Sequence, residues 1–264
     1  MRLKKINKSQ PPNALTVYEN QHPNSNWDPD FRNYNAGNDY RAIKGLLLED
    51  QGGLCGYCER NIKTQPIHKQ RIEHFHSKSD SSNPTKNWAL DWQNIFAVCV
   101  GGDDAQKSIH PLPINLSCDS HKNHLISKQK LALACEGLFL NPQDIIARPR
   151  LFHFEKSSGA LSVNKEACAD FNYLEHQYGS VEELVQKTIS ILNLNCQRLC
   201  DDRLEILKSY NQEVAKARRV NDRQGFEKLA RRWFSDKWPS FFTTRRILLD
   251  QHAEVFLEQI AFNG

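Results

Sequence analysis

Cys55 and Cys58, in "GLCGYCERNI", stand three positions apart, a spacing that lets two thiolates grip one metal ion from a tight turn. A tetrahedral site needs two more donors. Cys99 closes the apolar, strand-like run "WQNIFAVCVGG", Cys118 opens the helix-like "NLSCDSHKNHLI", and together they can complete a structural zinc site. The eighteen residues between them carry Gly-Gly, Asp-Asp and two prolines and read as an inserted loop. The competing reading makes Cys99 and Cys118 small buried hydrophobes. A redox CxxC would sit between a strand and a long helix, whereas "ERNIKTQPIHKQ" is polar and carries a proline. Cys135 and Cys168 lie outside this frame, and Cys196 and Cys200, one helical turn apart, point to a helix core.

Between the two half-sites stands "QRIEHFHSKSD", with an acid, Glu73, directly before a histidine, His74. That step resembles the opening of an HNH nuclease motif. Asn94 lies five residues before Cys99 and Lys122 four after Cys118, at the spacings such motifs show. Two positions depart: Asp119 follows the last cysteine where a histidine is common, and Ser77 replaces a usual proline. Over most of its length the chain is similar to the PtuB-like HNH proteins of Septu-type and retron-associated anti-phage systems. "GYCERNI", "RIEHFHSKSD", "WQNIFAVC", "CDSHK", "LFLNP", a hairpin with Gly159 and "TISILNLNCQRL" follow one another in that family's order.

The resemblance implies an α+β fold, with a ββα-metal HNH nuclease core and a helical C-terminal part. It also implies a PtuA-like SMC- or ABC-type ATPase partner and, in some systems, a retron reverse transcriptase with its msDNA. Phosphodiester hydrolysis needs an activated water, a cation on the phosphate and stabilisation of the departing oxyanion. His74 fits the general base, because an imidazole can take a proton near neutral pH. Glu73 points to the opposite strand face and reaches a metal only if the strand is distorted, although the family's acid at this step contributes to metal binding. Asp119 at a helix start offers a hard oxygen to Mg2+ or Mn2+, or serves as a plain helix N-terminal charge. His121, rotated by about 200° on that helix at ~100° per residue, is the alternative ligand. Asn94 is expected to orient the His74 loop. His76 and Lys122 are candidate nucleic-acid contacts, or a solvent-facing strand histidine and a solvated lysine.

These residues need elements to hold them. Residues 1–39, rich in Asn, Pro and Gln with anchors at Trp27, Phe31 and Tyr34, read as an extended arm. The nuclease core is expected over 40–147, beginning with a short helix in "YRAIKGLLLEDQ", and a hairpin in "LFHFEKSSGALSV" opens a partner-binding region over 148–264. Val181, Leu184, Val185, Thr188, Ile189 and Leu192 recur at helical spacing, and the basic run 215–232 reads as helical. A chain of 264 residues can bury a real core without staples, and no stretch has signal-peptide or membrane-spanning character, so a cytoplasmic protein with eight reduced cysteines is expected. The net charge of +4 permits nucleic-acid binding without requiring it. DNA and RNA, transfer RNA included, are both open as substrates. A zinc-stabilised module that binds nucleic acid or the ATPase without catalysis is the alternative function.

Overall fold

The structure is a computed structural model, and it describes residues 5–170, 175–235 and 238–262. The N-terminal arm is more ordered than its composition suggests. Asn13 caps helix α1 (Ala14–Gln21), accepting from the amides of Leu15 and Thr16 while the Thr16 hydroxyl accepts from the amide of Asn13. This reciprocal cap makes a helix where an extended arm was expected. Two tight turns follow, Trp27–Phe31 and Tyr34–Gly37; Trp27 and Phe31 are buried, while Tyr34 stays on the surface.

Helix α2 (Asn38–Asp50) buries Ile43 and Leu47 and stops where Gly52 takes a positive φ. A side chain at Gly52 would collide with the Trp238 indole, at 1.3 Å from Cδ1. The cysteine turn comes directly after. Strand β1 (Gln70–His74) then pairs antiparallel with β2 (Ile95–Cys99), with Gln70 opposite Cys99 and His74 opposite Ile95. All five β2 side chains are buried, since α2 and helix α3 (Cys118–Ser127) both pack against this strand. The long-range pairing therefore brings Cys99 back to the cysteine turn and sets the Glu73–His74 step at the other end of the ladder.

The expected hairpin is present as β3 (Phe152–Phe154) and β4 (Leu161–Val163). Its Gly159 has a positive φ, and a Cβ there would stand 2.3 Å from the Cys200 carbonyl oxygen. After the short α4 (Lys165–Ala169) comes α5 (Val181–Ile191), capped by Ser180, with Val181, Leu184, Val185, Thr188 and Ile189 all buried as their spacing predicts. The basic run does not form one helix. Helix α6 (Gln197–Arg219) ends before Asn221, which adopts a positive φ, and α7 (Gly225–Phe234) starts anew with α8 (Phe242–Leu249) and α9 (Gln251–Gln259) after it.

One cluster of buried side chains runs from Ile6 through both strands to Leu248, and a smaller one joins Leu54 to α7, α8 and α9. Glu59 couples the cysteine turn to the smaller cluster: its carboxylate accepts from the Thr243 amide at 2.9 Å and hydroxyl at 2.6 Å. Among the described residues no helix is long and apolar enough to cross a membrane.

Candidate active site and metal centre

Cys55, Cys58, Cys99 and Cys118 meet in the core, with all four sulfurs within 4.8 Å of one another and every residue buried. The Sγ atoms of Cys55 and Cys118 are 3.9 Å apart, those of Cys58 and Cys99 3.7 Å, and those of Cys99 and Cys118 3.9 Å. Four thiolates held tetrahedrally at zinc's usual bond length of about 2.3 Å would sit ~3.8 Å apart, so this donor set fits that ion. The Gly101 amide adds a hydrogen bond to the Cys99 sulfur at 3.4 Å. Among the described residues this is the one cluster of three or more groups able to hold a metal.

A cation that sequence reasoning passed over lies beside the centre. Arg198, in the first turn of α6, is buried, donates from Nη2 to the Ser117 hydroxyl at 2.7 Å, and leaves Nε and Nη1 without hydrogen-bond partners. Burial disfavours its charge, but Cys196, Cys58, Cys99 and Cys118 raise its pKa. A four-thiolate zinc centre carries net negative charge, and a buried guanidinium is a fitting counter-ion. No signal in the local sequence of α6 marks this, because the pairing spans eighty residues of chain.

At the far end of β1 the alternation of the strand sends Glu73 toward α3 and His74 the other way. Glu73 meets Asp119, the second residue of α3, through a side-chain hydrogen bond. Both are buried. Burial, then the charge of Glu73 and the hydrogen bond to it, push the Asp119 carboxyl well above the usual carboxylate range. Burial also acts to raise Glu73, but the Lys122 ammonium overrides it and holds that carboxyl below its ordinary value. The two carboxyls are thus pushed in opposite directions, Asp119 toward its protonated form and Glu73 toward its ionised one. The Asn123 amide donates to Asp119 as well.

Lys122 is 1% exposed, which removes it from the solvated surface where a free phosphate contact was expected. Its three ammonium hydrogens meet three acceptors: the Glu73 carboxylate, the His74 carbonyl at 2.5 Å and the Phe75 carbonyl at 3.0 Å. Lys122 is therefore a clamp on the end of β1.

The His74 ring lies under the N-terminal arm, with the Trp27 indole edge-on at 4.7 Å between centroids, and only 6% of the residue is exposed. Its Nε2 is 3.0 Å from the Ala89 carbonyl oxygen, which can only accept, so in the neutral ring Nε2 carries the proton and Nδ1 the lone pair. Burial lowers the pKa of His74 to about 4.

Asn94 secures the turn that follows. Its Oδ1 accepts from the His76 amide at 2.7 Å, and its Nδ2 donates to the carbonyls of His76 at 3.0 Å and Trp88 at 2.8 Å. His76 itself lies beyond the end of the strand and is buried, so it is no solvent-facing strand histidine. It stacks on Trp88 at 3.7 Å, with Nδ1 2.8 Å from Glu136 and Nε2 2.7 Å from Asp80. His121 is turned toward α5, where its Nδ1 meets the Ile191 carbonyl at 2.8 Å. Of the two candidate ligands on α3, Asp119 is the one that meets Glu73.

An acid and a histidine thus stand in succession at a strand end, with an asparagine from the turn just before the facing strand tying down the next turn. No protein-family model matches the chain. Over 248 residues, 94% of this chain and 94% of the other, it is 36% identical to an Escherichia coli protein described as "Retron Ec83 putative HNH endonuclease". At that identity and coverage the chain belongs to the HNH endonucleases.

Proposed function

We propose that this HNH nuclease is the effector of an anti-phage defence complex and hydrolyses phosphodiester bonds of DNA or RNA with the help of Mg2+ or Mn2+ at Glu73 and Asp119. The observation that carries the reading is the meeting of two buried carboxyls on one face of the strand end whose other face bears His74. Glu73 and Asp119 would provide the hard oxygen donors that Mg2+ takes. A bound divalent ion would supply charge stabilisation on the phosphate and the leaving oxygen. His74 would take the proton of the attacking water at Nδ1 while Ala89 holds the ring through Nε2. Asn94 and Lys122 fix the backbone on which those groups ride. The four cysteines would hold a structural zinc in a ββα-metal core, and Arg198 would offset its charge.

The retron in the relative's name supports a setting with a reverse transcriptase and its msDNA, and the resemblance to PtuB-like proteins supports a PtuA-like ATPase partner. The test is cleavage of mixed DNA and RNA by pure protein with Mg2+ or Mn2+, alone and after co-purification with the products of its operon. Loss of cleavage in His74→Ala with retained fold is the expected result; cleavage by that variant at the wild-type rate overturns the assignment. A second reading, a nucleic-acid- or ATPase-binding module without catalysis, draws on the burial of His74 under Trp27. Cleavage by wild type under any of these conditions eliminates it.

A further inference from the structure

The clamp formed by Lys122 leaves the site in need of another cation to meet a phosphate, and the same strand supplies one. Arg71 stands two residues before Glu73, so alternation puts both on the face of β1 that looks at α3. Its Nη1 donates to the Ser120 hydroxyl at 3.2 Å, and Ser120 follows Asp119 directly. The Arg71 side chain is 40% exposed, against 1% for Lys122.

What now occupies Arg71 is an anion from the chain itself. Asp103, on the loop between Cys99 and Cys118, sits 2.8 Å from Nη2 and, at 3.1 Å, shares the Ser120 hydroxyl donor with the Val100 carbonyl at 3.0 Å. A guanidinium and a hydroxyl converging on one carboxylate oxygen are the donors that would converge on a phosphate oxygen. The next residue repeats the contact, with Asp104 2.6 Å from the Lys69 ammonium. Both ion pairs are partly exposed and so are weak and exchangeable.

We propose that Arg71 is the phosphate-binding residue of this site and that Asp103 stands in for the phosphate until nucleic acid displaces it. The role at the scissile position rests on Glu73–Asp119 being the hydrolytic centre, whereas the exchange between Asp103 and a phosphodiester does not. Lys122 anchors the strand end; Arg71 meets the substrate. Loop 100–117, which separates the two zinc-ligand candidates, thereby acquires a function as an internal competitor.

The experiment is a binding titration of the full-length protein against labelled single-stranded and duplex DNA and RNA, in Ca2+ and across a range of salt. Arg71→Gln should weaken binding roughly tenfold and lower the salt slope by about one, as loss of one phosphate contact does. Asp103→Asn, an exposed substitution that cannot unfold the core, should tighten binding severalfold. In the double variant that gain should vanish, because Asp103 acts through Arg71. Unchanged binding by Arg71→Gln, or an equal gain from Asp103→Asn with and without Arg71, overturns the proposal, the second outcome marking a general charge effect. Cleavage in Mg2+ is scored separately: absent wild-type cleavage with these binding shifts intact defeats the nuclease reading alone, while wild-type cleavage with indifferent Arg71 variants defeats this one alone.

Discussion

The Trp27 indole stands edge-on to the His74 imidazole, ring centroids 4.7 Å apart and planes at 90°. Trp27 belongs to the N-terminal arm and His74 to the end of β1, so the arm roofs the proposed base. The roof is tied down by the Lys78–Asp28 ion pair at 2.6 Å and by the Asn87 amide, which donates to the carbonyls of Pro23 and Ser25. If His74 is the base, this cover would have to shift for nucleic acid to reach it.

Trp27→Ala removes a large buried ring and should cost about 3–5 kcal/mol of stability. It also admits water to His74. The His74 titration, followed by NMR, should therefore move from about 4 toward the ordinary histidine value. A titration that stays put would show that other groups desolvate the ring.

The same shift sets a pH dependence. The imidazole is a base only when unprotonated, and burial keeps it so down to about pH 4. The acid limb of the cleavage profile should accordingly lie near 4 instead of near 6.5. For stability, the folded-state value lies below the unfolded one, so the unfolded chain binds the extra proton between them. The His74 contribution is complete above about pH 6.5 and is lost as pH falls toward 4, and His74→Phe should flatten that part of the stability curve.

Glu73 and Asp119 should respond differently to neutralisation. Glu73→Gln leaves the buried Lys122 ammonium without its carboxylate and should cost about 3–5 kcal/mol in urea unfolding. Asp119→Asn replaces a carboxyl that burial and Glu73 already push toward its neutral form, and should leave stability close to wild type while abolishing the response of cleavage to Mg2+. His121→Ala should leave that response in place. Loss of it in His121→Ala and its survival in Asp119→Asn would exchange the two ligand assignments.

Cys55→Ser or Cys58→Ser should release the metal and abolish cooperative folding, because a buried four-thiolate site contributes its binding free energy to the fold. Metal analysis with thermal melts checks this. Arg198→Gln should retain the fold but lose zinc to a competing chelator faster than wild type, with Arg198→Lys in between. Equal loss rates would deny Arg198 its counter-ion role.

The chemistry was legible in the sequence wherever it depended on residue type and short spacing. Cys55 with Cys58, the Glu73–His74 step and the heptad-like apolar positions of α5 are local patterns, and strand alternation or helical periodicity alone states which side chains share a face. Cys99 and Cys118 could be matched to the first pair by their place in a motif. Their convergence to a tetrahedral spacing is a product of the β1–β2 register and the start of α3. What the sequence could not reveal depends on contacts between distant segments. Lys122 reads as a surface lysine on a polar helix, yet the packing of α3 under β1 turns it inward onto Glu73 and two carbonyls. His76 reads as a strand residue, but Asn94 captures its backbone and ends the strand before it. Trp27 reads as an anchor of its own arm, and only the folded chain lays it on His74. Local pattern specifies which groups are present and which way each faces along its own element; desolvation and counter-charges arise between elements, and the tertiary structure alone decides them.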